Sequence, residues 1–216
     1  MKAIVLFGSP GSGKGTQAQL LTARLGVPHI STGAILRDGM NRNPELADAA
    51  GTMRAGLLVS DDLVNRIVEE RLQKPDAAAG FILDGYPRTV EQAKHLRGWL
   101  EGRGIREVVI HLVVDYNVVI SRLAGRRQCP RCGTVYNLAL KPPQRDNLCD
   151  LDGTALAIRE DDNEQTIRER FKAYDRDTRP VLDYYRTAPV RVLDMDGNRE
   201  TPECLAEEIC RALKSQ

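Results

Sequence analysis

Ala3-Ile4-Val5-Leu6-Phe7-Gly8-Ser9-Pro10-Gly11-Ser12-Gly13-Lys14-Gly15-Thr16 joins an unbroken apolar run to a glycine-rich turn, and a helical pattern from Gln17 to Leu25 follows. Gly8 to Lys14 matches G-x-x-x-x-G-K in the context that gives the pattern meaning, after a strand and before a helix. Glycines at 8, 11 and 13 let backbone N–H groups turn inward without Cβ obstruction, and the helix points its partial positive end at the same space. Lys14 adds a mobile positive charge, so the segment reads as a cradle for phosphates. Gly15 stands where Ser or Thr usually follows the lysine, which leaves Thr16 as the candidate hydroxyl for the phosphates or a magnesium shell.

Working outward, short apolar runs recur at Phe81 to Leu83, Val108 to Val114 and Val190 to Leu193, with a weaker one at His29 to Ile30. Continuous apolarity suits strands buried on both faces, and helical segments between them suit right-handed crossovers. The expectation is an α/β fold with a parallel sheet of about five strands flanked by helices. Ser31 to Val59 and Arg126 to Asp162 break the alternation and read as insertions over the C-terminal edge of the sheet, where open α/β folds place ligands.

Helix starts are also legible. Asp162-x-x-Gln165 resembles a capping box ahead of Ile167, Phe171, Tyr174, Val181, Leu182 and Tyr185 at helical spacing, and Thr89-x-x-Gln92 resembles one ahead of Ala93, Leu96 and Leu100. Ser31 and Thr32 are N-cap candidates for a helix with Ile35, Leu36 and Met40. Ser60 is another, with Val59 and Val64 as a hydrophobic staple. A C-terminal helix is expected over Pro202 to Leu213, with Cys204 and Cys210 as packing residues.

The 216 residues fit one main domain, and 31 Lys plus Arg against 30 Asp plus Glu give a net charge of +1. That balance supplies no global field for nucleic acid or an anionic membrane, so any phosphate site must be local. No apolar stretch reaches the length of a membrane span, and Met1 to Phe7 lacks a secretory pattern; a cytoplasmic protein is the expectation. Histidines at 29, 95 and 111 lie in no nucleophile or base motif.

Cys129-Pro130-Arg131-Cys132-Gly133 has the C-x₂-C-G form of a zinc knuckle, and Cys149-Asp150-Leu151-Asp152 repeats the two-residue gap after sixteen intervening residues. A Cys₃Asp set of Cys129, Cys132, Cys149 and Asp152 would close a structural zinc site. Asp150 is an alternative ligand, three thiolates plus water an alternative set, and Fe²⁺ or Co²⁺ an alternative ion. A metal-free lid with reduced cysteines is the remaining reading.

Three further segments go beyond a phosphate loop: Ser31-Thr32-Gly33 with Arg37, Phe81-Ile82-Leu83-Asp84-Gly85-Tyr86-Pro87-Arg88, and Gly125-Arg126-Arg127. With Gly8 to Thr16 they make the chain resemble, from end to end, adenylate kinases of the long-lid bacterial type. The resemblance implies a P-loop nucleoside monophosphate kinase fold, Mg²⁺-dependent transfer of the ATP γ-phosphoryl group to AMP giving two ADP, and a part in adenine nucleotide homeostasis. It divides the chain into a core of residues 1–30, 60–125 and 163–216, an AMP-binding insertion at 31–59 and a zinc-knuckle lid at 126–162.

On the same basis ATP would meet Gly11, Ser12, Gly13, Lys14, Gly15, Thr16, Arg122, Arg126, Val135, Tyr136 and Arg199. AMP would meet Thr32, Gly33, Arg37, Leu58, Val59, Gly85, Arg88 and Gln92. Arg159 and Arg170 would close over the transferring phosphates, and Asp84 would organise Mg²⁺ through water; its local alternative is bonding the backbone of the next turn. The Cys₃Asp lid would hold Zn²⁺, and the expected state is a monomer. Two other readings remain open: a kinase for UMP, CMP or GMP, and a zinc-knuckle or P-loop module that binds without turnover.

Overall fold

The computed structural model describes residues 2–39, 44–198 and 201–215. In chain order the main elements are β1 (Lys2–Phe7), α1 (Lys14–Leu25), β2 (His29–Ser31), α2 (Thr32–Gly39), α3 (Pro44–Arg54), α4 (Asp61–Leu72), β3 (Gly80–Asp84), α5 (Val90–Glu101) and β4 (Arg106–Val113). There follow α6 (Tyr116–Ala124), β5 (Arg126–Gln128), β6 (Val135–Asn137), α7 (Glu164–Ala173), α8 (Arg179–Thr187), β7 (Arg191–Asp196) and α9 (Pro202–Lys214). The expected five-stranded parallel sheet is present, in the order β2-β3-β1-β4-β7.

Continuous apolarity is explained by helices on both faces. Alternate side chains of a strand point to opposite sides. Val5, Phe7, Phe81, Leu83 and Val109 pack under α4, α5 and α8, while Ile4, Leu6, Ile82, Val108 and Ile110 pack under α1 and α9. Cys210 joins the second layer, but Cys204 is exposed, so only one of the two cysteines expected to pack does so.

Strand order fixes the site. From β1 the chain builds β2 and β3 on one side and then β4 and β7 on the other, so the loop leaving β1 opens at the switch point, where crevices form. Register sets Leu6 of β1 beside Asp84 at the end of β3.

Two helix starts differ from expectation. Asn163, not Asp162, caps α7, its side chain accepting from Thr166 N at 2.9 Å. Ser60 makes no side-chain cap bond at α4, although Val59 and Val64 do share a core. The periodic run from Ile167 to Tyr185 is interrupted by a π-helical turn at Tyr174–Thr178. Pro180, second in α8, has no N–H to donate, and the widened turn just before it adjusts the ladder.

At the start of β4, Glu107 accepts from the Tyr185 hydroxyl at 2.7 Å, while its Oε2 is buried without a partner. Burial pushes its pKa up from 4.5 to about 7. A raised carboxyl pKa leaves the folded state favoured while Glu107 is neutral, and stability falls as pH climbs from the unfolded value through the folded one. Denaturant titrations should therefore show Glu107→Gln gaining on the parent by about 2–3 kcal/mol between pH 5 and pH 8. A mutant-minus-parent difference that stays constant across that range contradicts the assignment.

Candidate active site

The loop after β1 keeps its shape through backbone conformations that favour glycine. Gly11 has φ 83°, and a Cβ there would sit 2.8 Å from both Leu123 and Val119 of α6. Lys14 Nζ folds back on the loop, donating to Gly8 O at 2.7 Å and Ser9 O at 2.8 Å. Burial lowers its pKa from 10.5 to about 8, against the opposing pull of the Asp84 charge.

Asp84 faces this lysine. Its Oδ2 lies 3.3 Å from His29 Nε2, and a Cβ on Gly15 would come within 3.4 Å of the same oxygen. A carboxylate from the neighbouring strand thus reaches the start of α1. Burial would raise the Asp84 pKa, but the His29 hydrogen bond and the charge of Lys14 hold it below the ordinary value. The carboxylate engages His29 rather than capping its own turn.

A cavity of about 1570 Å³ runs from the phosphate loop across the C-terminal edge of the sheet. Lys14, Arg37, Arg88, Arg122, Arg126, Arg159 and Arg170 all line it. Burial depresses the pKa of Arg88, Arg159 and Arg170, that of Arg159 to about 10, and the neighbouring guanidinium groups push the same way. Such crowding of like charge out of water is a standing demand for anions.

Two acids that the sequence reading did not assign to the site partly meet that demand. The Asp162 side chain is fully buried; one oxygen takes Arg126 Nε at 2.6 Å, and the other takes both Arg126 and Arg170, the latter at 3.1 Å. Asp161 pairs with Arg170 at 3.0 Å. The apparent capping box hid Asp162, because a short-range pattern carries no information about arginines from other elements.

The remaining expected residues fall into two groups. Gly11, Ser12, Gly13, Gly15, Thr16, Val135, Tyr136, Gly33, Leu58 and Gly85 line the large cavity, along with the cations and Asp84. Thr32, Gly33, Leu58, Val59, Gly85, Arg88 and Gln92 come together in an adjoining small recess of about 40 Å³. Thr32 Oγ1 donates to Gly85 O at 2.9 Å, and Arg88 Nε donates to the same oxygen at 2.9 Å. Arg199 and Met40 lie outside the described residues.

Gln92 is more committed than a capping box would make it. Thr89 Oγ1 accepts from Gln92 N at 3.1 Å, as expected, but Gln92 Oε1 accepts from Arg88 N at 2.7 Å rather than from Thr89 N. Its Nε2 donates to Asp61 at 2.8 Å, so the side chain braces the Arg88 backbone.

Beyond the cations, Cys129, Cys132, Cys149 and Asp152 present ligand atoms all within 4.8 Å of one another. Cys132 and Cys149 sulfurs are 3.5 Å apart, and Cys129 Sγ lies 3.5 Å from both Asp152 oxygens. A tetrahedral zinc–thiolate site needs ligand separations of roughly 3.8 Å, so the donor set fits with little adjustment. Asp150 is engaged elsewhere, accepting from Gln144 N at 2.8 Å.

The two halves of this cluster are the same turn used twice. Cys129 N donates to Thr134 O and Gly133 N to Cys129 O; Cys149 N donates to Thr154 O and Gly153 N to Cys149 O. Gly133 at φ 74° and Gly153 at φ 69° make the turns possible. A Gly-Thr repeat after each pair was the readable signal for the second knuckle. Tyr136 lines the cavity but is buried, and its hydroxyl sits 3.5 Å from Cys149 Sγ while accepting from Asp150 N at 2.8 Å.

A phosphate loop at the switch point of a parallel sheet, opening with converging cations on a single cavity, defines a P-loop phosphotransferase of the nucleoside monophosphate kinase fold. The family model described as Adenylate kinase matches residues 6–190. Among curated relatives, an adenylate kinase of Anaeromyxobacter sp. (strain K) is 50% identical over 85% of this chain and 86% of its own. One from Kosmotoga olearia is 45% identical over 98% and 99%, and one from Caldanaerobacter subterraneus subsp. tengcongensis is 44% identical over 97% and 95%. The chain belongs to the adenylate kinase family. Its reaction is accordingly the reversible phosphoryl transfer ATP + AMP = 2 ADP, with Mg²⁺ accompanying ATP.

Proposed function

We propose that ATP sits on the phosphate loop with its γ-phosphate toward Lys14, and that AMP lies in the large cavity beside Gly33, Arg37, Leu58, Gly85 and Arg88, with its base toward the small recess bordered by Thr32, Val59 and Gln92. A phosphate oxygen of AMP attacks the γ-phosphorus in line; the bond to the β-phosphate bridging oxygen breaks, and ADP leaves. No proton has to be removed from the nucleophile. The work is alignment and charge neutralisation, which suits a loose, highly charged transition state.

The observation that carries this reading is the continuity of one cavity from the loop to the recess side, with the Lys14, Arg88, Arg126 and Arg170 charges close enough to perturb one another. Loop N–H groups and Lys14 hold the β- and γ-phosphates, Arg37 and Arg88 the AMP phosphate, and Arg126, Arg159 and Arg170 gather around the group in transit. Asp161 and Asp162 keep those arginines aimed, and give way in part when phosphates arrive. Mg²⁺, when bound, neutralises β- and γ-phosphate charge, and Asp84 is the carboxylate available to orient its water shell. Gly11, Ser12, Gly13, Gly15 and Thr16 complete the phosphate cradle, with Arg122, Val135, Tyr136 and Arg199 on the ATP side and Gly33 on the AMP side.

Residues 31–59 and 126–162 act in this reading as covers that exclude water, and the second holds Zn²⁺ on Cys129, Cys132, Cys149 and Asp152 as a structural ion. The working form is a monomer in the cytoplasm. Among the described residues no helix is long and apolar enough to cross a membrane. A bisubstrate of two adenosines joined by five phosphates is expected to compete with both ATP and AMP. Competition with only one of them sinks the shared-cavity arrangement.

A further inference from the structure

Gln17, on the first turn of α1 just behind the phosphate loop, is buried at 3% exposure. Its Nε2 donates to Pro202 O at 2.9 Å, linking α1 to the first residue of α9 across the fold, while its Oε1 is buried with no partner. A half-satisfied buried amide is a net burden on stability compared with an apolar side chain of similar shape, and one retained in a core calls for an explanation.

The explanation lies in what Pro202 borders. Gly197, Thr201, Pro202 and Leu205 line the cavity on the side of the phosphate loop that faces α9, opposite the recess at Thr32 and Arg88. Arg122 reaches the same segment from the other direction, donating to Gly197 O at 2.8 Å and to Ser12 O at 3.4 Å. The connection between β7 and α9 is therefore held at both its described ends by side chains anchored to the phosphate loop or its helix. A nucleotide whose phosphates rest on that loop has Gly197, Thr201, Pro202 and Leu205 as the wall of its cavity on the α9 side.

We propose that Gln17 is a positioning residue for the donor nucleotide: its carboxamide fixes the start of α9, at Pro202, relative to the phosphate loop, so that the α9 wall of the cavity and the phosphates are held in one register. The inference rests on the donor lying on the loop side of the cavity. It assigns Gln17 an effect on ATP affinity, with none on the acceptor or on the chemical step.

Gln17→Met keeps the length and packing while deleting the donor. Its KM for Mg-ATP is expected to rise about three- to tenfold, the weight of one buried hydrogen bond, with kcat and the KM for AMP within about twofold. Because an unpaired oxygen leaves with the amide, its Tm should equal or exceed the parent's. Gln17→Glu, nearly isosteric but opposing an acceptor to Pro202 O, should raise the ATP KM further. An unchanged ATP KM in both variants overturns the proposal, as does a drop in Tm accompanied by parallel losses toward both nucleotides. If the parent itself shows no saturable dependence on ATP, it is the donor-site reading that fails.

Discussion

Replacing Lys14 by methionine is expected to lower kcat by about 10³-fold while leaving the fold intact. The ammonium sits half-buried among the cations of the cavity, with its pKa pulled down to about 8, and it gives two hydrogen bonds to loop carbonyls. It is therefore a charge already held on the loop before phosphates arrive. When phosphates enter, those carbonyl bonds are exchanged for phosphate oxygens at little reorganisation, and the interaction strengthens as charge shifts toward the leaving group. Methionine fills a similar volume and removes the charge together with its two bonds to the loop carbonyls. Steady-state kinetics with circular dichroism as the fold control reads the effect; a kcat within tenfold of the parent would mean that transition-state charge is met by the arginines alone.

Stripping metal from the Cys129, Cys132, Cys149 and Asp152 cluster is the second large effect. The segment around it has only a small apolar cluster of its own, formed by Cys129, Tyr136 and Cys149 with Leu156 against them. A structural ion there supplies cross-linking that such a core cannot, and losing even a few kcal/mol in a chain of this size lowers Tm by about 10 °C. Protein purified under reducing conditions should carry one metal per chain by elemental analysis. A strong chelator or Cys149→Ser should remove it, with that fall in Tm. Metal-free protein with the same Tm as metal-loaded protein contradicts the structural role, and the identity of the ion recovered decides among zinc, iron and cobalt.

Much of this was legible because the decisive signals are local. The phosphate loop, the apolar strands and the C-x₂-C-G turn each write their chemistry into adjacent residues, and Thr32, Val59, Gly85, Arg88 and Gln92, named from the resemblance, line one small recess. Strand order was not readable, since parallel strands joined by crossovers share one apolar pattern wherever they sit in the sheet. Asp162 was misassigned for the complementary reason: a four-residue capping pattern is satisfied equally well by Asn163, and only the fold brings Arg126 and Arg170 to the buried carboxylate. Gln92 shows the intermediate case. Its bond with Thr89 follows from sequence, whereas its grip on Arg88 N and Asp61 depends on α4 lying alongside.

The central claim is tested most directly by incubating the pure protein with Mg-ATP and, in parallel, AMP, GMP, CMP, UMP or no acceptor, and quantifying every nucleotide by chromatography. Rapid formation of ADP with AMP, about two ADP for each ATP consumed, and little without an acceptor, is the predicted result. Faster transfer to another monophosphate would contradict the assignment of the recess to AMP, and ADP formation independent of any acceptor would contradict the kinase reading itself.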